Sequence, residues 1–166
     1  MKLHITPNSP YARMARIVVI EKGLEDRVDI VQAKTRTEGS PYYDINPSGR
    51  VPFLERDDGP GFEDSPLVCF YLDQLDGNAT LHPKQDAEGW EAWRLETMAR
   101  SMLDGLAVWG REHLYRPEGM RSQSILDHEA ARALRMADAF DREMENPALT
   151  GPLNIAQITL GCALNG

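Results

Sequence analysis

The chain has 166 residues, enough for one ordinary domain or two small ones with a real core. Its 26 acidic and 18 basic residues give a net charge of −8, without the Lys and Arg clusters that phosphate contacts need, which argues against nucleic acid as a partner. The 2 cysteines, 4 histidines without paired metal-ligand spacing, and apolar runs shorter than about 18 residues argue against a disulfide framework, a metal and a membrane span.

From the N-terminus, Leu3-His4-Ile5 reads as a short strand stopped by Thr6-Pro7-Asn8. Pro7 to Pro10 also break any signal-peptide core, so the expected location is the cytoplasm. Ser9-Pro10 opens a helix that carries Met14, Ile17 and Val18 and ends at Gly23. Val28 to Val31 reads as a second strand, the polar stretch Lys34 to Ser40 leads to a helical turn around Tyr42 to Ile45, and Val51 to Leu54 reads as a third strand. Asp57 to Gly61 is a hairpin turn into a fourth strand at Phe62, and a helix follows from Pro66 to Leu75. The order implies a mixed four-stranded sheet with helices on both faces, the third and fourth strands forming a hairpin.

Asp76 to Thr80 break the composition. The expected domains are 1–77, a linker over 78–84, and an all-α domain over 85–166. Its first helix, Ala87 to Tyr115, carries Trp90, Trp93, Met98, Met102, Leu103, Leu106 and Trp109 at three- and four-residue intervals and stops at Arg116-Pro117. A second spans Ser122 to Glu145 on Ile125, Leu126, Ala133, Leu134, Ala137 and Phe140, closed by Asn146-Pro147, and a third begins near Asn154. Cys69 and Cys162 each sit in an apolar pattern and read as buried small hydrophobes.

The most informative stretch is Asn46-Pro47-Ser48-Gly49-Arg50-Val51-Pro52-Phe53-Leu54, followed by Glu63-Asp64-Ser65-Pro66-Leu67. Val51-Pro52 is a place for a cis bond that turns backbone toward a ligand. Asp64-Ser65-Pro66 is a helix start, with the proline expected at the first helical position. A backbone edge beside a helix N-terminus suits a small extended peptide carrying carboxylates. Together with Tyr71-Leu72 these residues resemble the glutathione S-transferase pattern Asn-Pro-x-Gly-Lys/Arg-Val-Pro-x-Leu and Glu/Asp-Ser before a helix ending in Tyr-Leu. The resemblance, weaker elsewhere, runs from Met1 to Asn154-Ile155-Ala156-Gln157-Ile158.

The resemblance implies a thioredoxin-like α/β domain followed by the all-α domain, glutathione as co-substrate without a metal, a small electrophile as second substrate, and homodimerisation. It implies detoxification-type conjugation of glutathione thiolate. A glutathione-dependent isomerase or dehalogenase and a non-catalytic binding module of the same fold stand as alternatives. Ser9-Pro10-Tyr11-x-Arg13 is similar to the serine-type pattern, apart from the spacing of the arginine, and Ser9 is then the hydroxyl that activates the thiol. The plain alternative is that Ser9 only caps a helix. Glutathione binding is implied for Arg50, Val51, Pro52, Asp64 and Ser65, with the Val51 backbone meeting the cysteinyl unit and Asp64 and Ser65 the γ-glutamyl end. Asn8, Tyr11, Met102 and Trp109 are candidates for an electrophile pocket. Redox members of the fold class carry cysteine where this chain has Ser9, so disulfide exchange lacks its nucleophile. Two departures stand out: Gln157 replaces the family's carboxylate in the Asn154 capping box, and the chain stops at Gly166, short of the helices expected beyond it.

Overall fold

In a computed structural model, which describes residues 1–87 and 89–165, the chain divides into two compact units, Met1–His82 and Pro83–Gly166. Glu88 and Gly166, both assigned to the helical domain by the sequence reading, lie outside the described residues.

The first unit is built on β1 (Lys2–Ile5), whose Leu3, His4 and Ile5 are buried. β2 (Asp29–Gln32) runs parallel to it on one side and β3 (Phe53–Glu55) antiparallel on the other, with β4 (Phe62–Glu63) antiparallel to β3 at the edge. The sheet order is therefore β2-β1-β3-β4. Helix α1 (Pro10–Glu21) buries Ala12, Met14, Ala15, Val18 and Val19 and packs against α3 (Ser65–Gln74), which buries Val68, Cys69 and Leu72. A short α2 (Tyr42–Ile45) lies between β2 and β3. The predicted mixed sheet with its hairpin and helices is thus the observed one.

Three boundaries move, each for a local reason. Val28 donates its N–H back to Leu24 in the turn after α1, so β2 begins at Asp29. Pro52 has no N–H for a ladder, and β3 begins after it, at Phe53. The cap of α3 is Asp64, whose Oδ1 accepts the Ser65 N–H at 2.8 Å, so Ser65 already belongs to the helix and Pro66 takes its second position.

In the second unit the long helix α4 (Gly89–Tyr115) packs against α5 (Gln123–Asp141) and α7 (Ile155–Leu164), with a 3₁₀ turn at Glu118–Met120 and a short α6 (Pro147–Thr150) between them. Its core draws on Ala92, Leu95, Ala99, Leu103, Phe140, Ile155, Ile158 and Cys162. Trp90, expected on the apolar stripe, is 59% exposed, because it stands about half a turn around the helix from Ala99. Leu134 is exposed as well, and the buried row of α5 instead includes Glu129. Asn146-Pro147 does not merely close α5: the Asn146 side chain accepts from the Ala148 N–H at 3.0 Å and opens α6. Asn154 and Gln157 form a complete capping box on α7, with the Gln157 amide oxygen accepting the Asn154 N–H at 3.2 Å. Among the described residues no helix is long and apolar enough to cross a membrane.

Candidate functional site

Strand register alone gathers four connections at one end of the sheet. Ile5, the last residue of β1, pairs with Gln32, the last of β2, while His4 pairs with Phe53, the first of β3, and Phe53 pairs with Glu63, the last of β4. The loop leaving β1 (6–9), the loop leaving β2 (33–41), the loop entering β3 (46–52) and the turn leaving β4 at Asp64 therefore share that end. Both α1 and α3 begin there, each with its positive dipole end.

Ser9 is the N-cap of α1, half-buried, with Oγ accepting the Ala12 N–H at 3.2 Å. As acceptor in that bond it keeps its own proton for donation. Asn8 is exposed and Tyr11 half-buried beside it. Ser65, at the start of α3, is fully buried. Asp64 has φ 73° and ψ 137°, a conformation that costs a non-glycine residue on the order of 1–3 kcal/mol, and its side chain is exposed.

The β3 entry loop is held from inside. Asn46 Oδ1 accepts the Ser48 N–H at 3.2 Å and Ser48 Oγ accepts the Arg50 N–H at 3.1 Å. The Arg50 carbonyl accepts from the Tyr42 hydroxyl and from Asn46 Nδ2, the latter at 3.0 Å. Gly49 sits at φ 66° under Tyr43, whose ring a Cβ would meet at 2.6 Å, so both its backbone and the close approach call for glycine. Val51 packs on the cluster of Ala33, Tyr42 and Phe53, Pro52 is buried, and the bond between them is cis, as its sequence position suggests. Burial pushes the Tyr42 hydroxyl above the ordinary tyrosine range, a bond with Asn46 pulls it down and the charge of Glu63 adds to the rise, so the phenol stays a donor.

Among the basic residues of the first unit, Arg50 is exposed at this sheet end, whereas Lys22 is tied to Asp73 and Asp76 and Arg56 to Asp58 at 2.8 Å. In the second unit Met102 is buried and Trp109 half-buried, its ring stacked on His113 at 4.9 Å. Among the described residues no group of three or more His, Cys, Asp or Glu is placed to hold a metal ion. Two helix starts bearing hydroxyls, beside an ordered loop backbone, can hold carboxylates and stabilise a sulfur anion.

Comparison with known proteins agrees with this geometry. The family model for the glutathione S-transferase N-terminal domain matches residues 8–75. A glutathione S-transferase from Methylobacillus flagellatus, solved with glutathione bound, is 31% identical and superposes with a TM-score of 0.86, over 98% of this chain and 80% of that one. The chain belongs to the glutathione S-transferase family. A glutathione transferase family member from Pseudomonas fluorescens with bound glutathione is 26% identical at a TM-score of 0.83, over 98% of this chain and 80% of that one. The curated Escherichia coli GST-like protein YibF is 26% identical over 165 residues, 99% of this chain and 80% of its own length.

Within a glutathione S-transferase the first unit is the thioredoxin-like domain, and the motifs that pointed to the family, 46–54 and 63–67, both lie at the sheet end described above. In the sequence pattern Asn46 figures only as a motif residue, and nothing there marks Tyr42 as part of a site. Tyr42 was visible only as part of a helical turn, since its acceptor lies eight residues on.

Proposed function

We propose that the chain is a glutathione transferase that conjugates glutathione to small electrophiles, with Ser9 as the activating hydroxyl. The observation carrying this reading is the convergence of Ser9, Arg50-Val51-Pro52 and Asp64-Ser65 on one sheet end, between two helix N-termini. The glutathione-bound relatives support the choice of ligand.

A thiol titrates near ~8.5, and keeping it ionised at neutral pH takes about 2.7 kcal/mol. A hydrogen bond from the Ser9 hydroxyl to sulfur, at the positive end of α1, supplies a large part of that. The Ser65 hydroxyl, at the positive end of α3, receives the γ-glutamyl carboxylate, Asp64 the neighbouring ammonium, the Val51 backbone the cysteinyl unit, and Arg50 offers a cation to the remaining carboxylate. The thiol proton leaves to solvent, the sulfur lone pair forms a bond to the electrophilic carbon, and the leaving group departs with its electron pair. Catalysis then rests on positioning and on a lowered thiol pKa, with no covalent enzyme intermediate. The homodimer expected of the family is part of this reading.

The decisive experiment titrates the thiolate absorbance of bound glutathione and measures conjugation of an aryl halide at neutral pH. Ser9→Ala is expected to raise the thiol pKa and slow conjugation roughly ten- to a hundredfold, with glutathione affinity little changed. Retention on immobilised glutathione without any lowering of the thiol pKa in the unsubstituted protein would instead mark a binding module. Equal lowering in both proteins would move the role to Asn8 or Tyr11. Conjugation absent while one isomerisation or dehalogenation proceeds would mark the narrower enzyme.

A further inference from the structure

The functional reading gives the Val51 backbone the task of meeting the tripeptide, and a loop backbone presents one orientation only if something fixes its peptide planes. Two buried side chains act on the plane that ends at the Val51 nitrogen. Tyr42 and Asn46, 4% and 2% exposed, both donate to the carbonyl oxygen of Arg50, from Oη and Nδ2. A carbonyl oxygen has two lone pairs, and here each has a donor. The Arg50–Val51 peptide is trans and planar, so its C=O and N–H point in opposite directions, and a carbonyl held inward leaves the Val51 N–H facing the other way.

The two donors are themselves anchored as one piece. Asn46 donates its backbone N–H to the Tyr42 carbonyl at 2.9 Å, which closes the α2 turn and sets the two side chains four residues apart on it. The Tyr42 ring is packed with Ala33 and Phe53, and its centroid lies 5.4 Å from that of His4 on the central strand. We propose that Tyr42 and Asn46 are positioning residues of the glutathione site, pinning the Arg50–Val51 peptide plane so that the Val51 N–H meets the cysteinyl carbonyl in a preset orientation. The inference rests on the functional reading given above. Its physical content is preorganisation: a plane already fixed in the free protein need not be ordered when the ligand arrives.

Tyr42→Phe removes one donor and keeps the ring in the core. In the ligand-free protein, ¹⁵N relaxation is expected to show a lower order parameter at the Val51 amide than in the unsubstituted chain. Calorimetry is expected to show glutathione binding weakened roughly three- to tenfold, the size of one lost hydrogen bond. The thiol pKa of bound glutathione stays in place, and KM for glutathione rises while kcat at saturation holds within about twofold, as for a residue that acts on binding alone. Tyr43→Phe is the control, because that neighbouring hydroxyl accepts the Thr37 N–H and does not touch Arg50. An equally ordered Val51 amide in Tyr42→Phe would overturn the inference whatever the ligand does. So would a loosened amide with unchanged affinity, or a Tyr43→Phe protein weakened as much as Tyr42→Phe. An unsubstituted protein that fails to bind glutathione would overturn the functional reading and this inference with it, a result distinct from the other three because it appears before any substitution is made.

Discussion

At Asp64 an unfavourable backbone geometry and a helix cap share one position, to which the proposed function adds a ligand contact. Its φ of 73° is one that glycine adopts freely and aspartate does not, yet its carboxylate caps α3 through the Ser65 N–H. Asp64→Gly should relieve strain of order 1 kcal/mol and lose a cap bond for which glycine substitution costs only a few tenths. The expected result is a melting temperature unchanged or slightly raised, beside glutathione binding weakened about tenfold by the loss of an ammonium partner. A thermal melt and a calorimetric titration on the same sample check both halves. Improved stability with undiminished binding would show that the carboxylate does not meet the ligand. The helix start was legible in the sequence because acid, hydroxyl and proline stand in order, whereas the positive φ was not, since nothing in an aspartate's neighbours announces it.

Among elements, close approaches separate what can yield from what cannot. A Cβ on Gly61 would meet the ring of Phe53 at 2.3 Å and the Leu54 carbonyl oxygen at 3.0 Å, across the β3–β4 hairpin. On Gly105, where α5 crosses α4, it would meet Glu129 Oε2 at 2.5 Å, the tip of a side chain that can swing. Gly105→Ala also gains up to about 1 kcal/mol of helix propensity. Gly61→Ala is therefore expected to cost about 2 kcal/mol or more, by overpacking, and Gly105→Ala to stay within about 1 kcal/mol of zero. Urea unfolding of the two variants tests the ranking, and a reversed order would mean that the Glu129–Arg132 pair is rigid. Such approaches explain what the sequence could not show. Helix starts at Ser9 and Asn154 were readable from cap residues, but the buried row of α5 includes Glu129 rather than Leu134, and only its partner Arg132 makes that tolerable. Periodicity reads hydrophobicity, so a paired charge on the inner face is invisible to it.

At the scale of the molecule, each unit has its own core, and the end of the first is secured by one buried carboxylate. Residues 78–84 carry a linker's composition, yet Asp73, fully buried in α3, accepts the N–H groups of Thr80, Leu81 and His82 at 2.9–3.2 Å, along with His82 Nδ1 at 3.0 Å. Lys22, the C-cap residue of α1, closes the cluster at 3.3 Å, so one carboxylate joins the end of α1, α3 and the segment leading to Leu81 and His82. Burial alone would raise the Asp73 pKa, but the His82 backbone and ring bonds and those of Thr80 and Leu81 together hold it below the ordinary aspartate range. A carboxyl whose folded pKa lies below its unfolded value of ~3.9 stabilises fully at higher pH, and that contribution is lost as pH falls through the folded value. Lys22 works at the other end: burial lowers its pKa, Asp76 and Asp73 raise it further, and its contribution is lost only when pH climbs past the folded value above ~10.4. Asp73 and Lys22 should thus both be charged from about pH 5 to pH 9. Asp73→Asn leaves a buried ammonium with Asp76 as its remaining acid and is expected to cost about 3 kcal/mol at neutral pH. Thermal melts followed by circular dichroism are the suitable probe, because all three tryptophans lie in the second unit and their fluorescence reports on that unit. The gap in melting temperature between the two proteins should be present at pH 5 and shrink as pH drops below about 4. A gap of the same size at pH 3 and pH 7 would mean that shape, not charge, makes Asp73 matter.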